Sequence, residues 1–401
     1  MSSQVTLYIP CYNGARFLPG VLQAVRTQSR QPDELLVIDD GSKDDSAAIA
    51  SSLGASVIQH NTNRGLAAAR NTAILHAKFP VLASLDSDVV PDNKWLETLL
   101  ECMLARKLTG VSGKVLECNH TRAVDGWRAE IMPLHYGDSY KENVRLFGAN
   151  GVFEREALLT VLGYDESLRL AFDDMDICDR LLAGGYRTAY DPDALCYHQR
   201  SDTLASLART VCNYRVPPLE SIGVFDELQA LVQAIIGTLI GDLKQLESFV
   251  AQQKFSHAMV SIYVTCALIL QYFARYFRGS DASRDPRFLA ALWLVMVSTL
   301  LRVQQMPHGL IQKLSDKLFA DFGSAIMDLQ QGMKVESLKE WTSRTLRGEI
   351  TACLVELGWG GERHDMEPIA KVLAPLPNYL SYGSANWSEL EQSFRQILSE
   401  E

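Results

Sequence analysis

Strand-like and helix-like segments alternate along the first 115 residues, and this alternation limits the possible folds more than any other feature. Short apolar runs predict buried strands, and amphipathic segments between them predict helices. The predicted strands are 5–9, 35–38, 55–58, 79–85 and 109–115. One predicted helix lies around Val21, and the others span 46–53, 66–75 and 95–104. Since short connections join the alternating elements, we expect an α/β fold with a mainly parallel sheet covered on both faces.

Residues 117–145 interrupt this alternation with a polar stretch that contains Trp127, Tyr136 and Tyr140. A long irregular connection in a compact domain is usually functional or disordered. Further on, residues 173–183 predict a helix and residues 188–197 a last pair of strands. Val216-Pro217-Pro218 then predicts a boundary between a domain of residues 1–216 and one of residues 217–401.

The second predicted domain is all-helical. Its predicted helices are 228–246, 255–277, 288–303, 310–329 and 335–346. Residues 255–274 contain no charged side chain and are long enough to cross a bilayer, which takes about 20 apolar residues. Five polar residues interrupt this run, which favours a buried helical hairpin, with peripheral membrane attachment as the alternative. We expect the domain to recognise a substrate, form a homodimer or lie near a membrane.

Composition excludes several classes of function. The chain has 401 residues with a net charge of −10, and neither half is basic, so we expect no nucleic-acid partner. Its eight cysteines form no CxxC pair, which argues against zinc and thioredoxin-like sites. Scattered thiols and an amino terminus without a signal-peptide pattern predict a cytoplasmic protein, with the inner face of the membrane as an alternative location.

Polar clusters follow the predicted strands at the points where they end. These clusters are residues 10–14, 39–42, 63–65 and 86–88. The carboxyl ends of parallel strands meet at one edge of a sheet, where ligands bind in α/β folds. Each cluster alone could be a turn or the start of a helix. Together, with the Asp86-Ser87-Asp88 triplet among them, they predict a site for a divalent cation and a charged ligand such as a nucleotide diphosphate.

The first 215 residues resemble family-2 glycosyltransferases, which have the GT-A fold. The matching segments are Ile9-Pro-Cys-Tyr-Asn13, Val37-Ile-Asp-Asp-Gly-Ser42, Asn63-Arg-Gly-Leu-Ala-Ala-Ala-Arg-Asn71, Leu85-Asp-Ser-Asp88, Gly148-Ala-Asn-Gly151, Gly163-Tyr-Asp-Glu166, Phe172-Asp-Asp-Met-Asp-Ile-Cys-Asp-Arg180 and Tyr197-His198. The resemblance implies a nucleotide-sugar donor, most readily a UDP-sugar, and Mn²⁺ or Mg²⁺.

The resemblance also assigns roles to individual residues. The implied donor-binding residues are Pro10, Tyr12, Asn13, Asp39, Asp40, Asn63, Gly65, Arg70 and Asp86. Among them, Tyr12 would face the base, Asp40 would contact the uracil, Asp39 would support the loop, and Asp86 would contact the ribose or a metal-bound water. Asp88 and His198 would ligate the metal, although His198 could instead be a core histidine near a strand end.

Members of this family invert the anomeric carbon, and the resemblance implies a general base in the Asp173-Asp174 pair. We expect Asp174 to be the base and Asp173 to face the acceptor. If the motif is aligned differently, Asp176 is the alternative base. These acids could instead simply favour a helix amino terminus. The chain lacks the Gln-x-x-Arg-Trp signature of processive synthases after His198, which predicts transfer of a single sugar. The acceptor would be a glycan, a lipid-linked sugar or a protein. The alternative is a non-catalytic nucleotide-sugar-binding module.

Overall fold

The computed structural model describes residues 4–278, apart from 120–121, 169–170 and scattered positions within 227–250. The described residues form two compact units. The first lies within residues 4–119 and 128–201, and the second contains 122–127 and the described residues from 202 on. The predicted helices 288–303, 310–329 and 335–346 lie outside the described residues.

Nine strands of the first unit form one sheet among the described residues. They are β1 (Val5–Cys11), β2 (Glu34–Asp39), β3 (Ser56–Gln59), β4 (Val81–Leu85), β5 (Val89–Pro91), β6 (Gly110–Glu117), β7 (Lys141–Glu142), β8 (Asn150–Glu154) and β9 (Thr188–His198). Their order is β3-β2-β1-β4-β8-β6-β9-β5, and β7 pairs with β9.

Helices connect these strands and continue into the second unit. They are α1 (Leu18–Arg26), α2 (Ser46–Ser52), α3 (Leu66–His76), α4 (Trp95–Arg106), α5 (Ala123–Ile131), α6 (Arg155–Thr160), α7 (Asp173–Ala183), α8 (Leu204–Ser221) and α9 (Phe255–Arg278). The predicted α/β class, a sheet flanked by helices, is confirmed.

The sheet mixes parallel and antiparallel pairs. β1, β2, β3 and β4 are parallel to one another, as are β6 and β9. β8 runs antiparallel between β4 and β6, and its first residue, Asn150, pairs with Leu85 at the end of β4. Because β8 starts where the parallel strands end, Gly148 lies at the same edge as Asp86.

Apolar side chains alternate along the strands and form two buried layers. Val5, Leu7 and Ile9 face one layer with α1 and α4. Tyr8 and Ile38 face the other layer with α3 and α7. Each fully buried Val, Leu or Ile side chain contributes roughly 1.5–3 kcal/mol relative to exposure. Since helices cover both faces, the ends of the strands are the part of the sheet open to a ligand.

Two segments differ from their predicted structure. The polar stretch 117–145, predicted to be irregular, contains α5, a helix of nine residues. The predicted strand pair 188–197 is the single strand β9, whose pairing with β6 shifts in register after Ser112. Gly113 lies at this shift, where a Cβ atom would approach the Ala194 carbonyl oxygen to 2.0 Å, so the bulge requires glycine.

The second unit is helical in its described part. Thr203 and Ser206 form a capping box at the start of α8, which continues through the predicted boundary at residues 216–218. The two compact units divide between residues 201 and 202. The helical domain 217–401 stays a prediction. Residues 255–274 lie in α9, and none of the helices in the described part of the chain is long and apolar enough to span a membrane.

Candidate active site

The carboxyl ends of β1, β2 and β4 bring the four predicted clusters together. Cys11 pairs with Asp39 across β1 and β2, and the Asp40 amide donates to the Cys11 carbonyl at 2.8 Å. The Asp86 amide donates to the Ala149 carbonyl at 3.1 Å. The parallel register therefore places residues that are up to 75 positions apart at one edge of the sheet.

Hydrogen bonds join the loop after β1 to the loop after β2. Asn13 adopts a left-handed conformation, with φ of 53°, and its Oδ1 accepts from the Lys43 amide at 2.8 Å. Its amide donates to Ser42 Oγ at 2.9 Å. Pro10 is buried in β1, whereas Tyr12 is 47% exposed. The predicted contact of Tyr12 with the base stays a prediction.

Asp39 and Asp40 are buried and bonded within the protein. Asp39 accepts from the Ser42 amide and from Gln59 Nε2, both at 3.1 Å. Asp40 accepts from the amides of Arg64 at 2.9 Å and Gly65 at 2.8 Å. These bonds hold the turn between Asn63 and α3, in which Gly65 has a φ of 99°.

Asp40 has a further partner that the sequence did not reveal. His60 Nδ1 lies 2.6 Å from Asp40 Oδ1, and His60 Nε2 lies 2.9 Å from Thr72 Oγ1. Three internal partners therefore surround the Asp40 carboxylate, and its predicted contact with uracil stays a prediction. A lone histidine just after a strand carries no sequence signal for this arrangement.

Arg70 joins two of the predicted acids. It is 2% exposed, its Nη1 donates to Asp173 Oδ2 at 2.6 Å, and its Nη2 lies 3.4 Å from Asp86 Oδ1. Burial lowers the pKa of Arg70, but the charges of Asp173 and Asp86 outweigh it and hold that pKa well above its usual value. One guanidinium thus connects the end of β4 to the start of α7, and Asp173 is bound inside the protein.

Gly148 separates this guanidinium from Asp174. A Cβ atom at Gly148 would lie 2.6 Å from Arg70 Nη1, so a larger residue would displace the guanidinium that Asp173 and Asp86 hold. The Gly148 amide donates to Asp174 Oδ2 at 3.2 Å. Burial raises the pKa of the half-buried Asp174 carboxyl, and the charge of Asp173 adds to that rise. Asp176, the rival for the base, is paired with Arg180 at 2.5 Å.

Asp88 and His198 form a second cluster where β5 meets β9. His198 Nε2 lies 3.2 Å from Asp88 Oδ2, and His198 Nδ1 lies 2.9 Å from Glu117 Oε1. Burial lowers the pKa of His198, but its hydrogen bonds to Asp88 and Glu117 outweigh that and raise it to about 9. Glu117 in turn accepts from Arg128 at 2.5 Å.

The Asp88 and His198 pair fits the predicted cation. One carboxylate oxygen and one ring nitrogen face each other, and the other ring nitrogen is bonded to a carboxylate, as is usual for metal-ligating histidines. In the described part of the chain, no three His, Cys, Asp or Glu side chains are arranged so that all three could ligate one metal ion. Mg²⁺ and Mn²⁺ sites often combine one or two protein ligands with water and substrate phosphates, so two protein donors suit such a cation.

Comparison with known proteins finds one family model and several relatives that match the first part of this chain. The model of glycosyl transferase family 2 matches residues 6–159. A pre-mycofactocin glycosyltransferase of Mycobacterium tuberculosis is 29% identical over 216 residues, which are 50% of this chain and 43% of that protein. The O-antigen chain rhamnosyltransferase RfbN of Salmonella typhimurium is 27% identical over 220 residues, which are 50% of this chain and 68% of that protein.

Two solved structures are also similar. The first is the mannosyltransferase PcManGT from Pyrobaculum calidifontis in complex with GDP-Man and Mn²⁺, with a TM-score of 0.43 and 18% identity; the match covers 90% of this chain and 89% of that chain. The second is GalNAc-T7 with UDP, GalNAc and Mn²⁺, with a TM-score of 0.41 and 17% identity; the match covers 53% of this chain and 47% of that chain.

The first part of the chain is therefore similar to family-2 glycosyltransferases. The chain spans less than half the length of the pre-mycofactocin glycosyltransferase it matches.

Proposed function

We propose that this protein is a metal-dependent inverting glycosyltransferase that moves one sugar from a nucleotide-sugar donor, most readily a UDP-sugar, to an acceptor hydroxyl of a glycan, a lipid-linked sugar or a protein. The observation that carries the proposal is the Arg70 guanidinium, which holds Asp86 and Asp173 at the same time. Asp174, the neighbour of Asp173, is thereby kept at a fixed position relative to Asp86, the acid expected to contact the donor.

The donor would lie across the loops at the carboxyl ends of β1, β2 and β4. Tyr12 would cover the base, and Asp39 and Asp40 would shape the loops around it. Asp88 and His198 would hold Mn²⁺ or Mg²⁺, which when bound offsets the negative charge of a departing nucleotide diphosphate. A diphosphate repels nearby carboxylates, so the acids at this edge support a donor that binds together with a cation.

Asp174 would act as the general base. The acceptor oxygen forms a bond to the anomeric carbon and gives its proton to the Asp174 carboxylate. The bond from the anomeric carbon to the diphosphate oxygen breaks, and the electron pair leaves with the nucleotide. The Gly148 amide orients one oxygen of Asp174, and burial raises its pKa toward the range in which a base works well near neutral pH.

The test separates binding from turnover. Metal-dependent transfer or hydrolysis is measured over a panel of nucleotide sugars, and binding is followed as thermal stabilisation by UDP with Mn²⁺. We expect Asp174→Asn to bind UDP as the wild type does and to lose turnover by about 100- to 10,000-fold.

The matched control is Asp179→Asn on the same helix, where the exposed carboxylate pairs with Arg145. This variant should keep full activity. Wild-type turnover in Asp174→Asn would contradict the assignment of the base. A wild-type protein that binds nucleotide sugars but never turns over would favour the non-catalytic module.

A further inference from the structure

Two buried charged residues lie behind His198, on the side away from Asp88. Glu117 uses one carboxylate oxygen to bind His198 Nδ1 at 2.9 Å and the other to accept from Arg128 Nη2 at 2.5 Å. The side chain of Glu117 is 7% exposed and that of Arg128 is 4% exposed. The four side chains therefore form a chain of contacts from Asp88 through His198 and Glu117 to Arg128.

The backbone around this chain of contacts is held in register. Glu117 is the direct partner of His198 in the parallel pairing of β6 and β9, and the Cys118 amide donates to the His198 carbonyl at 3.0 Å. Arg128 Nη2 also donates to the Arg200 carbonyl at 3.0 Å. Glu117 is thus fixed relative to the imidazole by two strands and by a side chain of α5.

The chemistry of imidazole gives this geometry a consequence. Ionised Glu117 can only accept hydrogen bonds, so His198 Nδ1 must carry the hydrogen, and Nε2 is the nitrogen that faces Asp88. A ligand ring needs this orientation to present Nε2 to a cation. A buried carboxylate without a partner is costly, and Arg128 supplies the opposite charge that lets Glu117 stay ionised.

We infer that Glu117 and Arg128 are positioning residues that orient His198 toward the divalent cation, an inference that rests on the proposed function. The competing explanation is that the Glu117–Arg128 ion pair only attaches α5 to the sheet. The two explanations differ in what removal of Glu117 does to cation affinity.

The test measures Mn²⁺ binding to the full chain in the presence of UDP, by titration calorimetry and by the electron paramagnetic resonance signal of free Mn²⁺. We expect Glu117→Ala to weaken Mn²⁺ binding by about 10- to 100-fold, the usual effect of losing a residue that orients a metal ligand. Glu117→Gln keeps the size and one acceptor oxygen, so it should fold normally and restore part of the affinity. Arg128→Gln should cause a smaller loss than Glu117→Ala.

The matched control is Glu34→Ala. Glu34 is also 7% exposed and pairs with a cation, Lys78, but it lies at the opposite end of the strands. Both alanine variants should lower the melting temperature, and only Glu117→Ala should lower Mn²⁺ affinity.

Unchanged Mn²⁺ affinity in Glu117→Ala and Glu117→Gln would overturn the inference while leaving the proposed function intact. A wild-type protein that fails to bind Mn²⁺ with UDP would overturn both.

Discussion

The two ends of the same sheet differ in how far their charged side chains are exposed to solvent. At the carboxyl ends, Arg70, Asp173 and His198 are buried and bonded to one another or to other acids. At the amino end of β4, a groove of 640 Å³ is lined by apolar side chains and by the charged residues Lys78, Lys107, Glu154, Arg155 and Glu156. There the ammonium of Lys78, which pairs with Glu34, is 71% exposed.

This difference shows that the buried ion pairs at the carboxyl ends are not explained by a gain in folding stability. Exposed ion pairs contribute little, with a median of roughly 0–1 kcal/mol. Buried ion pairs are often no better than apolar contacts, yet losing one partner costs about 3–5 kcal/mol. At the amino end, the buried side chain of Glu34 pairs with an exposed ammonium, whereas at the carboxyl end both Arg70 and Asp173 are buried, and chemistry is expected there.

Replacing Arg70 should have the largest effect on stability. Arg70→Met leaves Asp173 without its buried cation and Asp86 without its nearest one, so we expect a loss of about 3–5 kcal/mol in the free energy of unfolding. Urea denaturation followed by circular dichroism measures this loss. A loss below 1 kcal/mol would mean that water or another group replaces the guanidinium easily, and the contrast between the two ends would disappear.

Gly148→Ala should have an intermediate effect. Its Cβ would lie 2.6 Å from the Arg70 guanidinium, and such overpacking costs roughly 1–3 kcal/mol. The control is Gly20→Ala on the exposed side of α1, where the nearest atom is 3.9 Å away and alanine favours the helix by up to about 1 kcal/mol. Thermal unfolding should therefore move in opposite directions in the two variants, and a shift in the same direction would contradict the packing argument.

The pH dependence of turnover should report on Asp174. Burial raises the pKa of this carboxyl, and only the ionised form can accept a proton. Turnover should therefore fall as pH decreases through a pKa above the ordinary aspartate value of about 3.9. The same shift means that the ionised form disfavours folding, so Asp174→Asn should be at least as stable as the wild type at pH 7. An acid limb at the ordinary value, or marked destabilisation of the variant, would contradict this prediction.

The smallest effect is expected at the amino end. Lys78→Met removes the exposed ammonium from Glu34, which still accepts from the Lys78 amide at 2.9 Å and from Thr6 Oγ1 at 2.8 Å. We expect a change within about 1 kcal/mol. A loss comparable to that in Arg70→Met, measured by the same urea titration, would show that the two ends do not differ as described.

Local patterns predicted much of the fold and the outline of the site. Apolar runs and helical spacing located the elements up to residue 115, and parallel pairing placed residues 11–14, 39–42 and 86–88 at one edge. The patterns failed where a short element is polar or irregular. α5 has only nine residues within a polar stretch, and the prolines at 217 and 218 lie inside α8 near its carboxyl end.

The individual partners could not be read from the sequence. Arg70 and Asp173 are 103 residues apart, and His198 and Glu117 are 81 residues apart. No periodicity links residues over such separations. His60, Glu117 and Arg128 carry no motif, so their places around Asp40 and His198 appeared only in the folded chain.

The sequence by itself determined the α/β class and the chemical types gathered at the carboxyl edge, since the period of apolar residues and the ends of strands are local properties. Only the tertiary structure decided which charged side chains pair with each other. The antiparallel direction of β8 brings Gly148 between Arg70 and Asp174, and the register of β6 with β9 sets Glu117 beside His198. Buried charges must be paired to be tolerated, and pairing depends on distances that form only when strands far apart in the chain lie side by side.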